Sequence, residues 1–483
     1  MEHKELKPRL LWENFKQICA IPHPSKHEKE ITEWLLNWAK EHGISARKDS
    51  VGNIILSKPA TKGFENRKGV VLQGHIDMVP QKNSDKVHNF EKDPIEMLIG
   101  NDGWVRANGT TLGADNGIGC AAAMAVLQSD DIEHGAIEVL VTVDEETGMT
   151  GAFGLKPDLL HGDILINLDS EDEGELYVGC AGGMDANFTM NYKMEKTPAD
   201  TQGFDIAITG LKGGHSGMDI NTGRANANKL LMRLLKKASH TLDFSVASIN
   251  GGSLRNAIPR EAFTTLAVPN QQVEAFKKFV ADFTAVVTKE FSATEPDLSI
   301  SVKAIDTPKE VITRAEQEKI IHLVLAIPNG VMRMSDSMQG LVETSTNLAI
   351  VQAENGKLLI ANLLRSSVDS AKEALGDKME ALAALAGTEI ELVGAYPGWK
   401  PNMDSAILKT MMQTYETLYG KKPEIKAIHA GLECGLLGGV YPNFDMISFG
   451  PTIRNPHSPD ERVHIESVEK FWNFLVATLK NIQ

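Results

Sequence analysis

The run VLVTVDEETG (139–148) carries apolar and β-branched residues straight into Asp144, Glu145 and Glu146. It reads as a buried strand ending in three adjacent carboxylates. Like charges so placed repel, and each is costly to desolvate unless a cation or a proton compensates. A chain folding around this stretch must therefore bring something positive to the end of that strand. Other short β-rich runs lie at GVVLQGHIDMV (69–79), DILINLD (163–169) and FDMISFG (444–450). Helical spacing separates them at EKEITEWLLNWAKEHG (28–43) and NGIGCAAAMAVLQ (116–128), with further helices expected at 405–419 and 465–481. Strands alternating with helices predict an α/β fold with a largely parallel central sheet flanked by helices.

The glycine-bearing stretch GCAGGMDANF (179–188) marks a change of character, and Gly and Pro cluster again in GAYPGWKPN (394–402). Residues 186–395 are expected to form an inserted α+β domain. Residues 1–185 and 396–483 together would make the principal domain. A chain of 483 residues is long enough for more than one core. Its 49 basic against 64 acidic residues give a formal charge of −15, which argues against a nucleic-acid or anionic-membrane partner. The N-terminal stretch is charged throughout, with no signal-peptide apolar core, and no apolar run is long enough to span a bilayer. The 4 cysteines have no CxxC spacing, so neither a disulfide framework nor a thiolate zinc site is indicated. A reducing, cytoplasmic location is the expectation.

In open α/β sheets, binding groups collect at the carboxyl ends of the strands. The polar residues there are His75 and Asp77, then Glu145 and Glu146, then Asp169. Asp115 precedes the helix at 116–128, and His457 follows ISFGPTIRNP. Taken singly, each has an ordinary explanation: a surface pair, a solvated loop or a helix cap. Their joint occurrence, in order and behind apolar runs, points instead to a metal site of imidazole nitrogen and carboxylate oxygen, which suits zinc.

The motifs GHIDMVP (74–80), GADNGIG (113–119), DEETG (144–148), NLDSE (167–171), GGHSG (213–217) and GPTIRNPHSPDE (450–461) resemble those of the dinuclear zinc exopeptidases and deacylases. That family includes carboxypeptidases, aminoacylases and dipeptidases, and the likeness spans nearly the whole chain. It implies two Zn²⁺ per subunit, with Co²⁺ or Mn²⁺ as substitutes. His75 and Asp169 would hold one ion, Glu146 and His457 the other, and Asp115 would bridge them. Glu145 would be the general base. Asp77 is expected to accept the second N–H of His75 and fix its tautomer. In the inserted domain, the resemblance makes His215 the stabiliser of the tetrahedral oxyanion. Asn256 and Arg365 would hold the substrate's peptide oxygen and terminal carboxylate. His429 and Glu433, in HAGLECG (429–435), are expected near the rim, reading the substrate's amino end. The inserted domain is about twice the length of the simple lid in dimeric relatives. That leaves open whether His215 serves its own subunit or a neighbour's, and with it a homodimer.

Within the family, the wording of these blocks is closest to the bacterial branch that cleaves aminoacyl-histidine dipeptides, carnosine among them. A small dipeptide is therefore the expected substrate. An N-acyl amino acid deacylase or a carboxypeptidase on the same site is the alternative. A nucleotide-binding reading of GIGCAA (117–122) fails, because the preceding ANGTTLGADN is not a strand and Asp115 would stand where a pyrophosphate approaches. A non-catalytic protein on this fold should lack a ligand or the base, and none is missing.

Overall fold

Strands Val70–His75, Ile137–Thr142 and Ile164–Asn167 are buried along their whole length in the computed structural model, which describes residues 6–483. Covered on both faces, such strands use apolar residues at successive positions rather than in alternation. They pair in parallel, Val70–His75 lying between the other two, and Asp445–Ser448 continues the parallel set beyond Ile164–Asn167. Shorter strands flank this centre. Ile54–Lys58 and Ser45–Lys48 add antiparallel on one side, while Glu175–Cys180, antiparallel, and then Glu424–Ile428 complete eight strands on the other. The parallel centre agrees with the sequence reading, and the edges make the sheet mixed.

Helices Lys29–Glu41, Ala114–Gln128 and Ala406–Tyr419 pack against these strands. This first unit comprises the chain up to Gly179, Trp399–Ala427 and Leu432–Gln483. The expected helices at 28–43 and 465–481 are observed at Lys29–Glu41 and Ile465–Asn481. Among the described residues, no helix is long and apolar enough to cross a membrane.

The second unit, Cys180–Gly398 with Ile428–Gly431, is built on a different principle. The nine strands of its main sheet pair antiparallel, and Val342–Glu354, Lys357–Ser366 and Gly182–Asn191 lie side by side within it. In Thr201–Thr209 the residues Phe204, Ile206 and Ile208 are buried at every second position, the period of a sheet covered on one face. Helices Ala227–Ala238, Val273–Glu290 and Asp369–Ala386 supply the covering layer through Leu231, Leu235, Phe276, Val280 and Met379. Asn226 caps the first of them, its side chain accepting the Lys229 N–H at 3.2 Å.

In the first unit, Ser405 Oγ accepts the Leu408 N–H at 3.1 Å and donates to Asp445 at 2.6 Å, tying a helix start to a central strand. Ser405→Ala removes both bonds and should lower unfolding free energy by about 1–2 kcal/mol. A urea midpoint unchanged from wild type would contradict this assignment.

Candidate metal centre

The parallel strands end in the residues singled out above, all within the first unit. His75 closes Val70–His75, Asp169 stands just past Ile164–Asn167, and Glu145 and Glu146 follow Ile137–Thr142. His75 Nε2 lies 3.1 Å from Asp115 Oδ1 and 3.5 Å from Asp169 Oδ1. His457 Nε2 lies 3.2 Å from Asp115 Oδ2 and 3.0 Å from Glu146 Oε2. The two oxygens of Asp115 thus face two different imidazoles. Two donor groups result, His75–Asp115–Asp169 and Asp115–Glu146–His457, each with its candidate atoms within 4.8 Å of one another. Zinc bonds of ~2.0–2.1 Å in tetrahedral array put neighbouring donors roughly 3.3 Å apart, so the observed separations suit an ion at each group.

Glu146 Oε1 supplies a separate test of fit. It is buried and has no hydrogen-bond partner, a state that costs free energy unless a cation faces it.

The three adjacent carboxylates are separated by a change of backbone. Asp144 adopts left-handed geometry (φ 53°, ψ 42°), which Asp tolerates better than most residues, and Glu145–Gly148 then form one helical turn. Asp144 turns away to accept the hydroxyls of Thr147 and Thr150. Glu145 and Glu146, now on a turn rather than in an extended segment, both reach the cluster around His75.

Asp77 is partnered differently from the expectation. His75 Nδ1 donates to the backbone carbonyl of Asp77 at 3.0 Å, while the nearer carboxylate oxygen stands at 3.5 Å. That carboxylate instead accepts the N–H groups of Glu145 at 3.0 Å and Glu146 at 3.3 Å, and the Ser25 hydroxyl at 2.8 Å. The residue therefore fixes the imidazole with its main chain and the Glu145–Glu146 turn with its side chain.

In this cluster the carboxylates of Asp77, Asp115, Glu145, Glu146 and Asp169 outnumber two imidazoles. Burial opposes a proton on His75, yet Asp169, Asp115 and Asp77 outweigh it and hold the imidazole well above its ordinary pKa. Hydrogen bonds to Asp115 and Glu146 raise His457 to about 11. Burial pushes Asp169 up to about 8, with Asp115 adding to the rise. Burial also drives Glu145 well above the usual carboxylate range, Asp169, Glu433 and Glu146 reinforcing it. The upward shifts of His75, His457, Asp169 and Glu145 favour their protonated forms, which offsets part of the cluster's excess negative charge.

Two buried carboxylates border the centre. Glu433 is not on an exposed rim, as expected from the sequence, but 1% exposed. It accepts Gln73 Nε2 at 2.6 Å and Thr142 Oγ1 at 2.7 Å, bonding to two adjacent central strands, and burial raises it to about 7. Glu461, the last residue of GPTIRNPHSPDE, accepts four successive backbone N–H groups, from Leu112 to Asp115, at 2.7–3.3 Å. Its position four residues after His457 was the available signal.

The second unit holds its own group of expected residues. His215 Nδ1 accepts the N–H groups of Gly217 and Met218 at 3.1 and 3.0 Å, which leaves Nε2 as the proton-bearing nitrogen. Burial and Arg365 lower its pKa, favouring that neutral tautomer. Arg365 is buried and lies 3.3 Å from Ser216 Oγ and 3.4 Å from the Tyr396 hydroxyl, with no carboxylate in ion-pair contact among the described residues. His429 is likewise buried rather than at a rim. It bonds Ser345 Oγ at 2.7 Å, and burial, with Arg365 and His215, lowers it to about 3. Gly217 is obligatory here, because a Cβ would stand 1.9 Å from the His429 carbonyl oxygen. Asn256 is exposed, and its carbonyl accepts the Ser216 N–H at 2.9 Å.

The chain belongs to peptidase family M20/M25/M40, whose model matches residues 71–481. It is 49% identical over 481 residues to the cytosol non-specific dipeptidase of Escherichia coli (strain K12), an alignment covering 100% of this chain and 99% of that protein. Its fold matches the crystal structure of aminoacylhistidine dipeptidase from Vibrio alginolyticus with a TM-score of 0.95 and 50% identity, covering 100% of this chain and 98% of the other. Aminopeptidase PepT from Bacillus cereus shares the fold, with a TM-score of 0.58 and 17% identity over 99% of each chain.

The raised values of His75, His457 and Asp169 have a consequence for metal uptake. The upward shifts favour protons on these groups that a cation must displace, because metal ligands bind deprotonated. Zn²⁺ binding to the metal-free chain should therefore release protons at pH 7, and its affinity should fall as pH is lowered. Calorimetry in buffers of different ionisation enthalpy reads this directly; binding without net proton release would contradict it.

Proposed function

We propose that this chain is a metal-dependent dipeptidase that hydrolyses small dipeptides, Xaa-His dipeptides such as carnosine among them, in the cytoplasm. The observation that carries the reading is the carboxylate-rich two-histidine cluster at the ends of the parallel strands, with Asp115 facing both imidazoles. The dipeptidase names of the two relatives at 49 and 50% identity support it, and the Vibrio protein's name supports Xaa-His among the substrates.

His75 and Asp169 would hold one Zn²⁺, Glu146 and His457 a second, with Asp115 shared. Cations there would supply Lewis acidity, making water more acidic and polarising the scissile carbonyl. Glu145, made more basic by burial, would in its ionised form take the proton of the attacking water and return it to the leaving amine. Its backbone N–H, held by Asp77, keeps that carboxylate in place. His215 would donate its Nε2–H to the oxygen that gains negative charge, the tautomer that its bonds to Gly217 and Met218 favour. Arg365 would take the substrate's terminal carboxylate, because a buried guanidinium without a counter-charge is costly until an anion pairs with it. Asn256 is suited to the peptide oxygen, being exposed and free to orient. Glu433 would stabilise the amino end of the substrate as a buried negative charge, and His429 would hold Ser345.

Glu145→Gln should leave zinc content unchanged and lower kcat by about 10²–10⁴-fold. Full activity in that variant would remove the general base. Arg365→Met should weaken kcat/KM for dipeptides roughly 10–100-fold, the worth of a charge-assisted bond, while leaving C-amidated dipeptides no worse than in wild type. Equal losses on both substrates would contradict the carboxylate assignment. A panel of β-Ala-His, Gly-His, Ala-Ala, an N-acetyl amino acid and a tripeptide, with a chelator control, tests the substrate class. Chelator-sensitive cleavage confined to the dipeptides is expected, and cleavage of the acetylated substrate instead would mark a deacylase.

A further inference from the structure

Asp115 is the residue on which both donor groups depend, and its backbone is held in an unusual way. The segment Leu112–Asp115 leads into the helix Ala114–Gln128, but Asp115 itself is not helical (φ −83°, ψ 104°) and neither is Asn116. Its N–H groups therefore have no intrahelical carbonyls to bond. They converge on a single side chain: Glu461 Oε2 accepts Leu112 and Gly113 at 2.7 and 3.0 Å, and Oε1 accepts Ala114 and Asp115 at 2.8 and 3.3 Å. Glu461 is 2% exposed. Beyond Asp115 the segment is held again, Asn116 Nδ2 donating to the Leu168 carbonyl at 2.7 Å, one residue before Asp169. Gly74 and Gly119 make room for this amide, since a Cβ at either would lie 2.2 or 2.6 Å from Asn116 Oδ1.

We propose that Glu461 is a positioning residue of the metal centre: its carboxylate aligns the Leu112–Asp115 backbone so that the two oxygens of Asp115 face the two ion positions. The proposal rests on the metal-site reading above. It links both donor groups to one loop, because Glu461 and His457 lie four residues apart and His457 itself faces Asp115 Oδ2 at 3.2 Å. A carboxylate is required for the task. It offers two acceptor oxygens to four N–H donors, whereas the isosteric amide of Gln offers one oxygen and turns an NH₂ donor toward two of those N–H groups.

The test is a Zn²⁺ titration of the metal-free full chain by calorimetry, at a temperature where circular dichroism shows each variant folded. Glu461→Gln should weaken zinc affinity roughly 10–100-fold, the effect typical of groups that orient metal ligands. Asp460→Asn, at the neighbouring exposed position, should bind as wild type. A folded Glu461→Gln chain with wild-type affinity would overturn the proposal, because a residue that only stabilises the fold leaves the affinity of the folded form intact. Should Glu461→Gln fail to fold, Glu461→Asp, which keeps the charge on a shorter stem, is read the same way. Failure of both to fold would assign Glu461 to stability and overturn the proposal. Absence of zinc uptake by wild type would refute the metal-site reading itself, a result distinct from wild-type uptake with an indifferent Glu461→Gln.

Discussion

Two imidazoles hydrogen-bond opposite oxygens of one carboxylate, Asp115, and the rest of the first unit is arranged to hold those three side chains in place. His75 comes from the end of a fully buried parallel strand, where it pairs with Thr142 of the neighbouring strand. Asp115 is gripped through its backbone by Glu461, and His457 arrives on the loop that carries Glu461. Around them Asp169, Glu145 and Glu146 add negative charge that neither histidine can neutralise alone. Burial makes that excess expensive, and cations at the two donor groups relieve it most directly. The three carboxylates of VLVTVDEETG are tolerable for this reason, together with the left-handed turn that sends Asp144 to Thr147 and Thr150.

The second unit follows a complementary electrostatic rule. Around the buried Arg365 guanidinium, burial and that guanidinium lower the pKa of half-buried His215 and of buried His429, which favours their neutral forms. Ser216 and Tyr396 satisfy part of the guanidinium's hydrogen-bonding capacity and none of its charge. Such a group favours a carboxylate ligand over a neutral one, the basis of the proposed preference for peptides with a free carboxyl end.

Much of the first unit was legible in the sequence. Buried parallel strands read as unbroken apolar runs, so the polar residues at their ends stand out, and His75, Glu145, Glu146 and Asp169 could be found by position alone. The edge strands could not, because Ser45–Lys48 and Glu424–Ile428 are only four and five residues long and are interrupted by charged side chains. Asp77 shows a finer limit. Its spacing from His75 predicts a bond, but only the folded chain decides whether the carbonyl or the carboxylate accepts, and the carboxylate proves to serve the Glu145–Glu146 turn. Glu433 and His429 sit among small residues in HAGLECG, where nothing local signals burial. The grip of Glu461 on Leu112–Asp115 is a contact across more than three hundred residues, beyond the reach of any local pattern.

The central claim is that the Asp115 carboxylate is shared between two cations. Anomalous diffraction at the zinc edge, from crystals of the chain reconstituted with Zn²⁺, tests it most directly. The account predicts two peaks per chain on either side of Asp115, one against His75 and Asp169 and the other against Glu146 and His457. A single peak, or two peaks that leave Asp115 without contact to both, would contradict it.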